Sequence, residues 1–269
     1  MSLRINTNIE AHAAHRTLTR SSEALTKSME RLSTGSRINR AADDAAGLGI
    51  SEKMRGQIRG LQQAQRNIQD GISFVQTAEG NLDEVHSMLQ RVRELAVQFK
   101  TGSLSQAGRD AIQTEVNQLA SEIERIGATA QFNGVSVLNA AGNVTLQVGA
   151  NDGEYITVPT ISLGAAVGTS VFSLTQAGAS DISEIDAAIE AVSTQRATFG
   201  GVQNRLEHTL QAQAVYAENL VAAESRIRDV DMAEEMVNLT KQQIIQQAGQ
   251  AMLTQANQLP QGVLQLLRG

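Results

Sequence analysis

Apolar residues recur every three or four positions along most of this 269-residue chain. Near the start they lie seven residues apart, the repeat of a coiled-coil helix, at Ala11, Leu18, Leu25 and Leu32. This first pattern stops at Gly35, where we predict the helix to end. A second run in an approximate 4-3 rhythm predicts a long helix over about 54–100.

A short third apolar seam over 112–126 leads into a region rich in Gly, Val, Thr and Asn. Apolar and polar residues alternate there on both sides of a glycine-containing turn, in "NVTLQVGANDGEYITV". This pattern predicts a β-hairpin near 143–160. Helical periodicity resumes at Ile182 and continues to the last turns of the chain. The predicted fold is therefore mainly α: a long antiparallel helical or coiled-coil rod with a small β-hairpin insert, folded back so that its end helices pair.

Composition and charge exclude several classes of function. The formal net charge of −6 and the lack of a basic cluster argue against broad binding of nucleic acid. Since there is no cysteine, disulfides and cysteine metal sites are excluded. We expect no membrane span and no secretory signal peptide, because no long apolar run is present.

Candidates for catalytic or metal chemistry are weak. His12 and His15 stand three residues apart and could share a metal, but packing or solvation is the favoured interpretation, and no HExxH motif is present. No nucleophile–base set or pair of acids stands out. We therefore predict no enzyme activity, no cofactor and no metal site.

One segment differs from the long helices on either side of it. "RLSTGSRINRAADDAAGLGISEKM", residues 31–54, combines glycines, small residues and charges. Gly35 and the neighbouring Ser and Thr residues predict an irregular connection between two helices, and the alanines after it permit close backbone approach.

The chain resembles bacterial flagellins. The similarity is carried by "INTNIEAHAAHRTL" and the segment just described, by "QFNGVSVL" and "LQVGANDGE", and by "AAESRIRDVDMAEEM" and "ANQLPQGVLQLL", over about residues 3–155 and 182–268. Only about two dozen residues lie between Val158 and Ile182, where many flagellins carry variable outer domains. The resemblance therefore implies a short form in which the outer domains are absent.

The resemblance also implies a domain organisation and a function. Residues 1–45 and 230–269 would form a terminal coiled-coil domain that builds an inner tube, and 46–180 with 181–229 a rod-like inner domain around it. The chain would be a secreted, extracellular structural subunit that polymerises into the flagellar filament for swimming motility. We expect the terminal seams, at 5–32 and 235–267, to become ordered on assembly, because each alone is a marginal helix.

Two sets of residues are predicted to contact neighbouring subunits. The charged set, which could pair across subunits, is Arg31, Arg37, Arg40, Asp43 and Asp44. The apolar set is Leu18, Leu25, Leu32, Ile244, Leu259, Val263 and Leu266. The alternative for the charged segment is a solvated helix–helix connection.

Further partners follow from the resemblance. An export chaperone would hold the C-terminal helices from about 230 to 267, a type III export apparatus would read the N-terminus, and cap and junction proteins would adjoin the polymer. "LQRVRELAVQ" resembles the face recognised by the mammalian innate flagellin receptor, and the matching positions are Leu89, Arg91, Leu95 and Glu115. The alternative is that Leu89 packs inside and that Arg91 and Glu115 form an ordinary surface pair.

Two other functions stay open at this point. A hook–filament junction protein shares the terminal pattern, although it would match the terminal motifs more loosely. A cytosolic coiled-coil signalling module would instead form a stable monomer or dimer with ordered ends.

Overall fold

The computed structural model describes residues 8–167, 173–174 and 181–266, which divide into two compact units. One unit contains the residues up to Gly56 and those from Leu220 onward, and the other is Gln57–Asn219. The predicted domain limits at 45/46 and 229/230 stay predictions. None of the described helices is long and apolar enough to cross a lipid bilayer.

The described residues form mainly helices. In chain order they are α1 (Ile9–Thr34), α2 (Ala45–Phe99), α3 (Gln106–Thr129), α4 (Leu163–Val167), α5 (Asp181–Arg228) and α6 (Met232–Leu266). Four short strands lie between α3 and α4: β1 (Gln131–Phe132), β2 (Val135–Ser136), β3 (Gly142–Gln147) and β4 (Tyr155–Thr160). The predicted helical fold with a small β-hairpin insert is confirmed.

In the first unit, the predicted pairing of the end helices is observed. α1 and α6 pair in an antiparallel arrangement, because Asn8 donates to the carbonyl of Ala256 and Ser21 donates to the carbonyl of Gln242. Ser21 and Ser28 are buried, and small side chains let two helices approach closely. A β-carbon on Gly249 of α6 would already be in van der Waals contact with Leu18.

The second unit contains a continuous apolar core. The 4-3 rhythm of α2 buries Leu82, Val85, Leu89 and Val92 completely. They belong to one cluster with residues of α3, of the hairpins and of α5. The predicted seam of α2 is therefore its core face.

Two antiparallel hairpins cover part of this core. β3 and β4 pair with Val144 opposite Val158, in the predicted hairpin, and Gly153 in its turn has a φ of 87°. Leu146 packs so closely on Gly71 of α2 that a β-carbon there would collide with it. The smaller β1–β2 hairpin, formed by the first residues of "QFNGVSVL", turns at Asn133 and Gly134.

Candidate functional site

The irregular segment after α1 lies against the connection between α5 and α6. We call residues 35–44 and 227–231 together the joint. Ser36 forms a β-bridge with Asp229. The amide of Arg37 donates to the carbonyl of Arg228 at 2.6 Å, and the amide of Val230 donates to the carbonyl of Gly35 at 3.1 Å. The two connections are thus held together through their backbones.

Side chains anchor the joint further. The guanidinium of Arg37 donates to the carbonyl of Ile227 at 2.7 Å. Ile38 is only 1% exposed and lies so close to Gly47 that a β-carbon on that glycine would collide with it. The segment is therefore a structured connection with its own small apolar anchor. Contact across subunits and the alternative of a helix–helix connection both stay predictions.

Asp43 organises the turn within the joint. One carboxylate oxygen lies 2.6 Å from the ammonium of Lys27, and the other accepts from the amides of Asn39, at 3.2 Å, and Arg40, at 3.1 Å. The hydrogen bond from Lys27, followed by that from the Arg40 amide, lowers the pKa of Asp43 to about 2. All of these donors favour the charged carboxylate.

The start of α2 is also fixed by charged side chains. Asp44 accepts from the amide of Gly47 at 2.9 Å, as an N-cap does. About two turns further on, Glu52 pairs with Arg228 at 2.7 Å and with Arg55 at 2.9 Å. The hydrogen bond from Arg228, then that from Arg55, lowers the pKa of Glu52.

The structure gives each charged residue of the predicted contact set a partner in its own chain. Besides the contacts above, Arg31 lies 3.5 Å from Glu235 of α6, and Arg40 lies 3.2 Å from Glu30. Pairing of these residues across subunits stays a prediction, and it would have to add to, or exchange with, the bonds within the chain.

The apolar set divides in two. Leu18, Leu25 and Leu32 are half-buried in the unit that contains the α1–α6 pair, whereas Ile244 is 60% exposed. The side chains of Leu259, Val263 and Leu266 lie outside the described part of the structure.

Around Ile244, α6 alone forms an open and shallow apolar surface, which we call the groove. The groove is lined by Met236, Val237, Thr240, Lys241, Ile244 and Ile245. Val237 is 69% exposed and Met236 is 50% exposed. Our predicted contact set includes Ile244 but not Met236 or Val237, although Val237 lies seven residues before Ile244 on the same apolar seam.

The receptor-like face on α2 and α3 is only partly accessible. Leu89 and Leu95 are buried, with exposures of 0% and 2%. Arg91 is exposed and pairs with Glu115 at 2.9 Å and with Glu94 at 3.2 Å. Hydrogen bonds that Arg91 donates to Glu115, and then to Glu94, raise the pKa of Arg91.

These features define a mainly helical protein whose end helices pair and whose α6 exposes an apolar face. Residues 5–143 match the N-terminal helical region of bacterial flagellin, and residues 182–267 match its C-terminal helical region. The chain belongs to the bacterial flagellin family. It is a structural filament protein and not an enzyme.

Individual relatives agree with this assignment. A flagellin of Halalkalibacterium halodurans is 53% identical, with 98% of this chain and 99% of the relative covered. A flagellin of Bacillus subtilis is 47% identical, with 99% and 100% covered. The crystal structure of Bacillus cereus flagellin is 31% identical with a TM-score of 0.52, covering 59% of this chain and 94% of that one.

Proposed function

We propose that the groove on α6 is the surface through which this flagellin polymerises with itself into the extracellular filament for swimming motility. The observation that carries the proposal is the exposure of Val237 and Ile244, at 69% and 60%, beside half-exposed Met236. Apolar residues that the chain itself leaves uncovered gain about 25 cal/mol per Å² when a neighbour covers them. Neither a hook–filament junction protein nor a signalling module is favoured by any contact described above.

Membership of the flagellin family implies assembly into a fibre rather than a closed dimer. The groove lies on one helix and would receive a different surface of the next copy. Head-to-tail contacts of this kind build a ring only if the rotation closes, and otherwise build an open helical filament. The joint would hold the connection from α1 to α2 against the connection from α5 to α6 while these contacts form.

A substitution at Ile244 tests the proposal. We expect Ile244→Asp to abolish seeded polymerisation, because it would place a carboxylate in an apolar contact, and Ile244→Leu, which keeps the volume and polarity, to polymerise normally. Electron microscopy counts filaments, and circular dichroism checks that both subunits keep their helices. Normal filaments from the folded aspartate variant would contradict the proposal.

We further propose that the same face meets the export partners before assembly. A dedicated chaperone would cover the helices from about residue 230 to 267, whose exposed apolar groove needs protection in the monomer. Delivery by a type III export apparatus, and contact with cap and junction proteins at the filament ends, would follow. If a chaperone bound wild type and Ile244→Asp equally, the groove would not be its site.

For the mammalian innate flagellin receptor, we propose a smaller face than the sequence suggested. Leu89 and Leu95 are buried and would only hold the helix in place. Arg91 and Glu115, with side chains 52% and 45% exposed, would make the contact.

A further inference from the structure

The sulfur atoms of this chain are unevenly distributed. There is no cysteine, so methionines hold all of its sulfur. Of the described methionines, those at least half-exposed lie on α1 and α6: Met29 at 53%, Met232 and Met236 at 50%, and Met252 at 67%. Met54 and Met88, on α2, are partly buried. Accessibility to a soluble oxidant is therefore concentrated on the terminal helices.

Met236 occupies a special position among the exposed methionines. It lines the apolar groove of α6 together with Val237 and Ile244, and Met232 precedes it by one helical turn. The thioether is apolar, whereas methionine sulfoxide is polar and disrupts methionine-containing contacts. Oxidation at this point would introduce a strong hydrogen-bond acceptor into the surface that another copy has to cover.

We propose that Met232 and Met236 form an oxidation site that controls whether a free subunit can assemble. This inference rests on the proposed function of the α6 groove. The oxidant class is a soluble peroxide: its O–O bond breaks, an S–O bond forms, the sulfur loses two electrons and the peroxide is reduced to water. The product is reversible, because methionine sulfoxide reductases restore the thioether.

The site behaves differently in the two states of the protein. In the free subunit both methionines are half-exposed. In the filament the covering copy shields them, so that incorporated subunits resist the oxidant while unassembled subunits are inactivated. Oxidation thus removes chains from the assembling pool and leaves the existing polymer intact.

Hydrogen peroxide treatment followed by seeded polymerisation tests this. We expect oxidised wild-type subunits to elongate untreated seeds about tenfold more slowly than untreated subunits, the factor that corresponds to losing the burial of part of one methionine side chain. Treatment should leave the elongation rate of the double variant Met232→Leu/Met236→Leu equal to that variant's own untreated rate. Met88→Leu, which changes a methionine outside the groove, should remain as sensitive as wild type.

Peptide mass spectrometry provides the second readout. The gain of one oxygen at Met232 and Met236 should be slower in filaments than in free subunits, and reductase treatment should restore elongation. Oxidised wild type that elongates normally, a double variant that stays sensitive, or equal oxidation of both states would each overturn the inference. Failure of untreated wild type to elongate would instead overturn the proposed function on which it rests.

Discussion

At the scale of single residues, the joint depends on charges placed next to particular backbone groups. Asp43 shows why sequence alone could not assign these roles. Its neighbour Asp44 has the same side chain. The carboxylate of Asp43 pairs with Lys27 and accepts hydrogen bonds from two amides of its own turn, whereas Asp44 caps α2. The sequence predicted that these carboxylates matter, and only the folded turn distinguishes their partners.

Asp43 should make the stability of the first unit depend on pH. Its pKa falls from an ordinary value of 3.8 to about 2 on folding, so its contribution is complete above about pH 4 and is lost as the pH falls through about 2. We expect Asp43→Asn to lower the melting temperature near neutral pH, with a difference from wild type that shrinks over this acidic window. Thermal unfolding followed by circular dichroism at a series of pH values measures this difference in melting temperature.

The control for this experiment is Asp70→Asn. Asp70 is an exposed carboxylate on α2. Its replacement should leave the melting temperature close to that of wild type throughout. A deficit of the Asp43 variant that stays constant down to about pH 2 would contradict the role assigned to this carboxylate.

At the scale of elements, helix limits are set by a few residues. The end of α1 was predictable because Gly35 takes the left-handed conformation, with a φ of 71°, and its amide donates to the carbonyl of Arg31. The start of α2 was less predictable: we expected the helix from about 54, but it begins at Ala45. The cap by Asp44 decides this, and the weak apolar rhythm of residues 45–53 does not reveal it.

Gly35 and Gly49 allow a matched comparison. A β-carbon would meet no atom within 4 Å at either position, but only Gly35 has a positive φ. We expect Gly35→Ala to lower the free energy of unfolding by about 1 kcal/mol, because of backbone strain. Gly49→Ala should raise it by about 0.5–1 kcal/mol, because alanine favours the helix.

Urea unfolding followed by circular dichroism measures both changes. Opposite signs are the expected result. If both substitutions stabilised the protein, the left-handed end of α1 would not be a constraint on the fold.

At the scale of the whole molecule, function depends on which surfaces the chain leaves uncovered. Periodicity assigned Leu89 and Ile244 alike to helical seams, yet Leu89 is buried and Ile244 is 60% exposed. The difference arises because α2 packs into the core of the second unit, whereas the face of α6 around Ile244 has no described neighbour from the same chain. The open face is where we place assembly.

Receptor recognition is also a property of accessible surface. We expect Arg91→Ala to lower signalling through the innate flagellin receptor by about tenfold, as the loss of one charge-assisted hydrogen bond would. Arg93→Ala is the matched control, because Arg93 is 49% exposed and also pairs with a carboxylate, that of Asp186. Reporter cells measure signalling, and equal losses in both variants would contradict a specific role for Arg91.

The sequence by itself determined the helical class, the β-hairpin near 143–160, the end of α1 and membership of the flagellin family, because periodicity, turn residues and long motifs are local properties. Only the tertiary structure decided which side chains meet. Arg37 reaches the carbonyl of Ile227, 190 residues away in the sequence, and Glu52 pairs with Arg228, 176 residues away. A heptad repeat specifies which face of a helix is apolar but not which surface covers it. Only the packing of α1 on α6 therefore shows which apolar residues of α6 stay exposed.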